Sequence, residues 1–125
     1  MTVAYWCVLI AAIMPLLGST VAKAGAAGFD NRSVRPFLES QQGWRLRANW
    51  AQQNAYEAFP PFAAAVIIAH LTGGAAQATI DGWALAFVAL RTLYMAMYIL
   101  NAATLRSLVW TAAFACIIGL FVSAA

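Results

Sequence analysis

Three features of this 125-residue sequence predict an all-α integral membrane protein, an antiparallel four-helix transmembrane bundle. The first is composition: 64% of the residues are apolar and 9% charged, with a mean hydropathy of +0.76. A soluble domain has about 45–50% apolar and about 25% charged residues, so the solvent of this chain is lipid. The second is that the apolar residues fall into four runs, each close to the roughly 20 residues that cross a bilayer. The third is that the later connections are short, which forces neighbouring helices to run antiparallel. The length suits one domain. A net charge of +3 without a dense basic patch gives no argument for nucleic acid.

The first span covers about residues 2–22, from Thr2 through Pro15 to Ala22, with no charged side chain. Proline is tolerated in a membrane helix, where it produces a kink. A cleaved signal peptide is the rival reading, and Ala22-Lys23-Ala24 resembles a cleavage site. No Lys or Arg precedes the run, however, and a signal peptide opens on a basic segment. Residues 23–47 are the polar connection. They hold Lys23, Arg32, Arg35, Arg45 and Arg47, with Asp30 and Glu39 the only acids. Gly25, Gly28, Pro36 and Gly43 break any long helix there, while Phe29, Phe37, Leu38 and Trp44 suit the membrane surface or the underside of the bundle.

The second span runs from about 48 to 71 and stops at Thr72-Gly73-Gly74. The third covers about 82–100 and is interrupted by Arg91; Asn101 to Thr104 is a tight connection. The fourth covers about 105–123, opening on Arg106 and Ser107. Tyr5, Trp6, Trp44 and Trp83 lie near span ends, as interfacial anchors do. Cys7 and Cys116 both fall inside apolar runs and read as small buried hydrophobes. His70 has no Cys, His or acidic neighbours in sequence, so no metal site is expected.

With four spans, the first and third connections share one side. That side holds Lys23, Arg32, Arg35, Arg45, Arg47 and Arg106, and the other side holds no Lys or Arg. The positive-inside rule then makes the long connection cytoplasmic and turns both termini outward.

Depth singles out a second group of residues. Glu57 lies ten residues beyond Arg47, and Arg91 ten before Asn101, so both sit about 15 Å in from the basic side at the helical rise of about 1.5 Å. Asn54 and Glu57 are i and i+3 and share a helix face. Arg91, Tyr94, Tyr98 and Asn101 fall at i, i+3, i+7 and i+10, one continuous stripe. A bland reading makes Glu57 and Arg91 a buried ion pair that fixes helix register. A functional reading makes them the floor of a polar cleft in which Arg47, Arg91 and Arg106 bind an anionic or zwitterionic ligand. Arg106 is likewise either a snorkelling helix-end arginine or, with Ser107, a stabiliser of an anion such as a thiolate.

Two segments carry a family resemblance. Asn54-Ala55-Tyr56-Glu57 with Pro60 just beyond, and Arg91-x-x-Tyr94-x-x-x-Tyr98 followed by Arg106-Ser107, resemble the MAPEG family (membrane-associated proteins in eicosanoid and glutathione metabolism), in particular its small bacterial branch. The resemblance covers essentially the whole chain. It implies a homotrimer with glutathione bound between subunits near the cytoplasmic side, and a lipophilic substrate arriving from the bilayer. Asn54, Glu57, Arg91 and Tyr98 match positions that line the family's glutathione site, and Arg47, from the cleft reading, and Tyr94 complete the expected binding set. Arg106 and Ser107 match the pair that stabilises the glutathione thiolate in the family's enzymes. Tyr94 stands where many members have histidine. The chain departs from the enzymes at Trp50 and Gln53, where they carry further arginines, and at Trp110, where several have tyrosine. The implied activity is that of a glutathione-dependent transferase or peroxidase; the alternative is a non-catalytic trimeric membrane protein binding a lipid-like ligand or a partner.

Overall fold

The structure is a computed structural model describing residues 1–125. It is entirely helical, with α1 at Val3–Lys23, α2 at Val34–Glu39, α3 at Gly43–Thr72, α4 at Gln77–Ile99 and α5 at Ala103–Ala124. α1, α4 and α5 are each long and apolar enough to cross a membrane. α3 is the exception, because its first half carries Gln52, Gln53, Asn54 and Glu57.

Local chemistry sets the helix ends. The Thr2 hydroxyl accepts from the Tyr5 amide at 3.4 Å and caps α1. α3 ends at Gly73, whose left-handed φ of 66° lets the chain turn without a side-chain clash. The turn between α4 and α5 uses Asn101 at φ 61°, with the Ala102 amide donating back to the Met97 carbonyl at 2.9 Å.

The long helices alternate in direction. Thr2 at the start of α1 meets His70 at the end of α3, and Gly18 near the end of α1 meets Gln52 in α3. Trp83 early in α4 packs on Gly119 late in α5. The core is built largely from small residues, with Ala4, Cys7 and Ala11 of α1 against Ala65, Val66 and Ala69 of α3. Such residues let helix backbones approach closely where lipid provides no hydrophobic drive. Phe62 and Phe87 stack in the centre, ring centroids 3.9 Å apart. Outside, Leu9, Ile10, Leu16, Leu85, Leu108 and Ile118 are all exposed, an apolar coat suited to lipid.

Three boundaries differ from the sequence expectation. The polar connection is interrupted by α2, whose Leu38 is buried between Ala22 and Ala48 while Pro36 sits in its first turn, where proline is tolerated. α3 begins at Gly43 instead of 48, so Arg45 and Arg47 are helical. α4 begins at Gln77 instead of 82. There, burial of Ile80 and a 2.9 Å bond from the Gln77 amide to Asp81 outweigh the helix-weakening Gly82.

Candidate functional site

Arg91 is the most buried charged residue, 2% exposed in the middle of α4. Its Nη2 donates to Asn54 Oδ1 of α3 at 2.9 Å, and Asn54 Nδ2 donates in turn to Glu57 Oε2 at 3.0 Å. The expected pairing of Glu57 with Arg91 is therefore relayed through Asn54. The reason is geometric: Asn54 lies one turn before Glu57 on the same face, and it intercepts the guanidinium.

The stripe along α4 forms as far as Tyr98. The Arg91 guanidinium carbon stands 4.3 Å from the centre of the Tyr94 ring, and Tyr94 meets Tyr98 edge-on at 5.5 Å. Arg106 of α5 then lies over the Tyr98 ring, again at 4.3 Å. The result is one unbroken path, Glu57–Asn54–Arg91–Tyr94–Tyr98–Arg106, across three helices. Each guanidinium faces a phenol ring, which stabilises a cation in a low-dielectric site. Asn101 leaves the stripe, because its left-handed conformation places it in the exposed turn.

Two of the remaining candidates are placed differently from the cleft expected for them. Arg47 Nε donates to the Ile99 carbonyl at 3.0 Å, so it ties the start of α3 to the end of α4, and it does not line the cavities beside the path. Ser107 borders a cavity with Tyr94, Arg106, Trp110 and Thr111, but its hydroxyl donates to the Ala103 carbonyl at 3.2 Å. Its proton is turned back into its own helix.

Cavities flank the path. One of about 400 Å³ is lined by Trp50, Gln53, Asn54, Glu57, Tyr94 and Tyr98. A second, of about 110 Å³, is lined by Asn54, Glu57 and Arg91 on one side and by Phe87, Trp110, Ala113, Phe114 and Ile117 on the other. The two cavities share Asn54 and Glu57; the larger has a mixed polar and aromatic lining and the smaller a mostly apolar one. The α5 wall of the second cavity was overlooked in the sequence, although Trp110, Ala113, Phe114 and Ile117 stand at helical spacing on one face. A third cavity, of about 560 Å³, lies on the α1 side of α3 and includes Ser19, Arg35, Asn49 and Gln52. Asn49 is 3% exposed there, and Gln52 Oε1 is buried without a hydrogen-bond partner.

At the opposite end, His70 Nδ1 contacts the Val66 carbonyl at 2.8 Å and must donate to it. Nε2 lies 3.1 Å from Thr2 Oγ1 and 3.3 Å from the Gln77 amide nitrogen. Gln77 also bonds Asp81, which accepts from the Ala4 amide at 2.8 Å. Asp81 is thus linked to His70 through the Gln77 side chain.

Helices coated in apolar side chains, with a polar path centred on the buried Arg91 and Tyr94, define an all-helical integral membrane protein. The chain belongs to the MAPEG family, whose model matches residues 3–125. No curated protein and no solved structure matches it.

Proposed function

We propose that the protein is a membrane-bound glutathione-dependent transferase or peroxidase acting on a lipophilic electrophile. The observation that carries this reading is the path from Glu57 to Arg106, flanked by a cavity of mixed polar and aromatic lining and by a mostly apolar one. Glutathione presents two carboxylates, an ammonium and a thiol. Arg91, Arg106, Asn54 and the phenols of Tyr94 and Tyr98 supply donors for the carboxylates, and Glu57 supplies the acceptor for the ammonium, so the residues fit the group. Bound glutathione supplies a nucleophilic sulfur. Arg106 stabilises negative charge beside Ser107, whose hydroxyl serves as a donor only after rotating off Ala103. The apolar wall of Trp110 and Phe114 receives the second substrate from the bilayer and excludes water.

The reading includes a homotrimer of four-span subunits, with the site between neighbours. Its physical support is α3. Trp50, Gln53, Tyr56 and Glu57 are all exposed on a single subunit, and a carboxylate facing lipid at that depth is costly. A neighbouring copy covers them. The one-sided distribution of Lys and Arg supports a cytoplasmic basic end, with both termini periplasmic in a bacterial inner membrane.

A second reading, a non-catalytic trimer that binds a lipid-like ligand or a partner, is favoured by the hydroxyl of Ser107 facing its own helix. Thiol transfer to an aryl chloride by the detergent-purified protein separates the two. Turnover lost in Arg106→Ala supports the enzyme, and absence of turnover in the native protein supports the binder.

A further inference from the structure

The stretch from Lys23, the last residue of α1, to Arg47 in the second turn of α3 contains five basic and two acidic residues, and the structure shows how few of these charges are spent. Arg47 Nε is held by the Ile99 carbonyl, and Arg45 Nη2 by the Ala24 carbonyl at 2.8 Å. Asp30 uses its carboxylate to accept the Arg32 backbone amide at 2.9 Å. The side-chain cations of Lys23, Arg32 and Arg35 have no carboxylate or carbonyl partner, and both arginines are exposed. α2 cannot swing away to bury them, because Leu38, Val34 and Phe37 pin its other face to Ala22, Ala48 and Ile99.

Apolar rings stand beside two of the basic residues, Lys23 and Arg45. Lys23 Nζ is 5.2 Å from the centre of the Phe29 ring, which packs edge-on against Phe37. Trp44 carries the Arg45 guanidinium at 4.4 Å. Phe29 is 40% and Trp44 39% exposed. The segment joins the end of α1 to the start of α3, which is the level of the lipid headgroups. Exposed rings alternating with unpaired cations at that level fit an amphiphile with a negative head, and do not fit a fully hydrated anion.

We propose that this connection is a contact plate for anionic phospholipid headgroups, with Arg32 and Arg35 binding the phosphate and Phe29 and Trp44 seated among the upper acyl carbons. The proposal goes beyond the thiol-dependent reading and does not depend on it.

The experiment is thermal unfolding of the detergent-purified full chain with added phosphatidylglycerol, phosphatidylcholine or inorganic phosphate. Phosphatidylglycerol raises the Tm, and the other two do not. A basic residue at the surface is worth about fivefold in affinity, so R32Q/R35Q raises the lipid fraction for half the shift by roughly twenty-five-fold. R32K/R35K keeps the native response, and high salt weakens it in the native protein. Equal shifts from phosphatidylcholine or from phosphate overturn the proposal, as does a full phosphatidylglycerol response in R32Q/R35Q. If R32Q/R35Q does not fold, the salt dependence of the native protein and the response of R32K/R35K decide in its place.

Discussion

Arg91 and Glu57, expected to form an ion pair, are joined through the side chain of Asn54, at 2.9 Å on the arginine side and 3.0 Å on the glutamate side. The amide is the only group in the relay that both accepts and donates, so it keeps the buried cation and the exposed carboxylate satisfied together. Asn54→Ala removes the hydrogen-bonded partner of a guanidinium that is 2% exposed, and it lowers stability in detergent by about 1.5–3 kcal/mol. Glu57→Gln keeps an acceptor for Asn54 and costs less. Equal losses of Tm in the two variants would show a direct pairing of Glu57 with Arg91.

A Cβ at Gly119 would stand 2.7 Å from the Trp83 ring, closer than any packed atoms tolerate. Gly119→Ala therefore pushes α5 away from α4, with a loss of about 1–3 kcal/mol. Trp83→Leu combined with Gly119→Ala recovers most of that loss in an unfolding cycle. Strictly additive effects would mean that the two residues do not limit the approach of the helices.

Phe62 and Phe87 lie within 10° of parallel, and both are almost fully buried. Phe87 also lines the apolar cavity beside Arg91. Phe87→Ala costs about 3–5 kcal/mol by removing the stack and enlarging that cavity, and Phe87→Leu costs clearly less. Thermal unfolding of both variants checks the order.

Arg106 lies over the Tyr98 ring at the mouth of the site and has no hydrogen bond into the core. Its role is therefore separable from folding. Arg106→Ala lowers thiol-dependent turnover by about 10²-fold or more, the scale for losing a charge-stabilising donor, with an unchanged elution volume and Tm. A parallel fall in Tm would make it a structural residue.

The α4 stripe was readable from sequence because helical periodicity alone brings Arg91, Tyr94 and Tyr98 to one face. The same periodicity misplaced Asn101, since nothing in spacing reveals that its backbone turns left-handed. Helix spacing put Asn54 and Glu57 on a common face but could not decide which one meets Arg91; that depends on the offset between α3 and α4. Arg47 looked like a site residue from its charge and depth, yet the free carbonyl at the end of α4 claims its Nε. α2 escaped notice because four helix breakers surround a single buried leucine, and only the tertiary pocket of Ala22 and Ala48 gives Leu38 a reason to fold inward.

The claim that the path through Arg91 forms a glutathione site is tested most directly by calorimetry on the detergent-purified protein, with Arg106→Ala and Asn54→Ala alongside. The expected result is saturable binding with a rise in thiolate absorbance; the absorbance rise is lost in Arg106→Ala, and the affinity falls in Asn54→Ala. No heat of binding at millimolar glutathione, from a protein that elutes and unfolds normally, would contradict it.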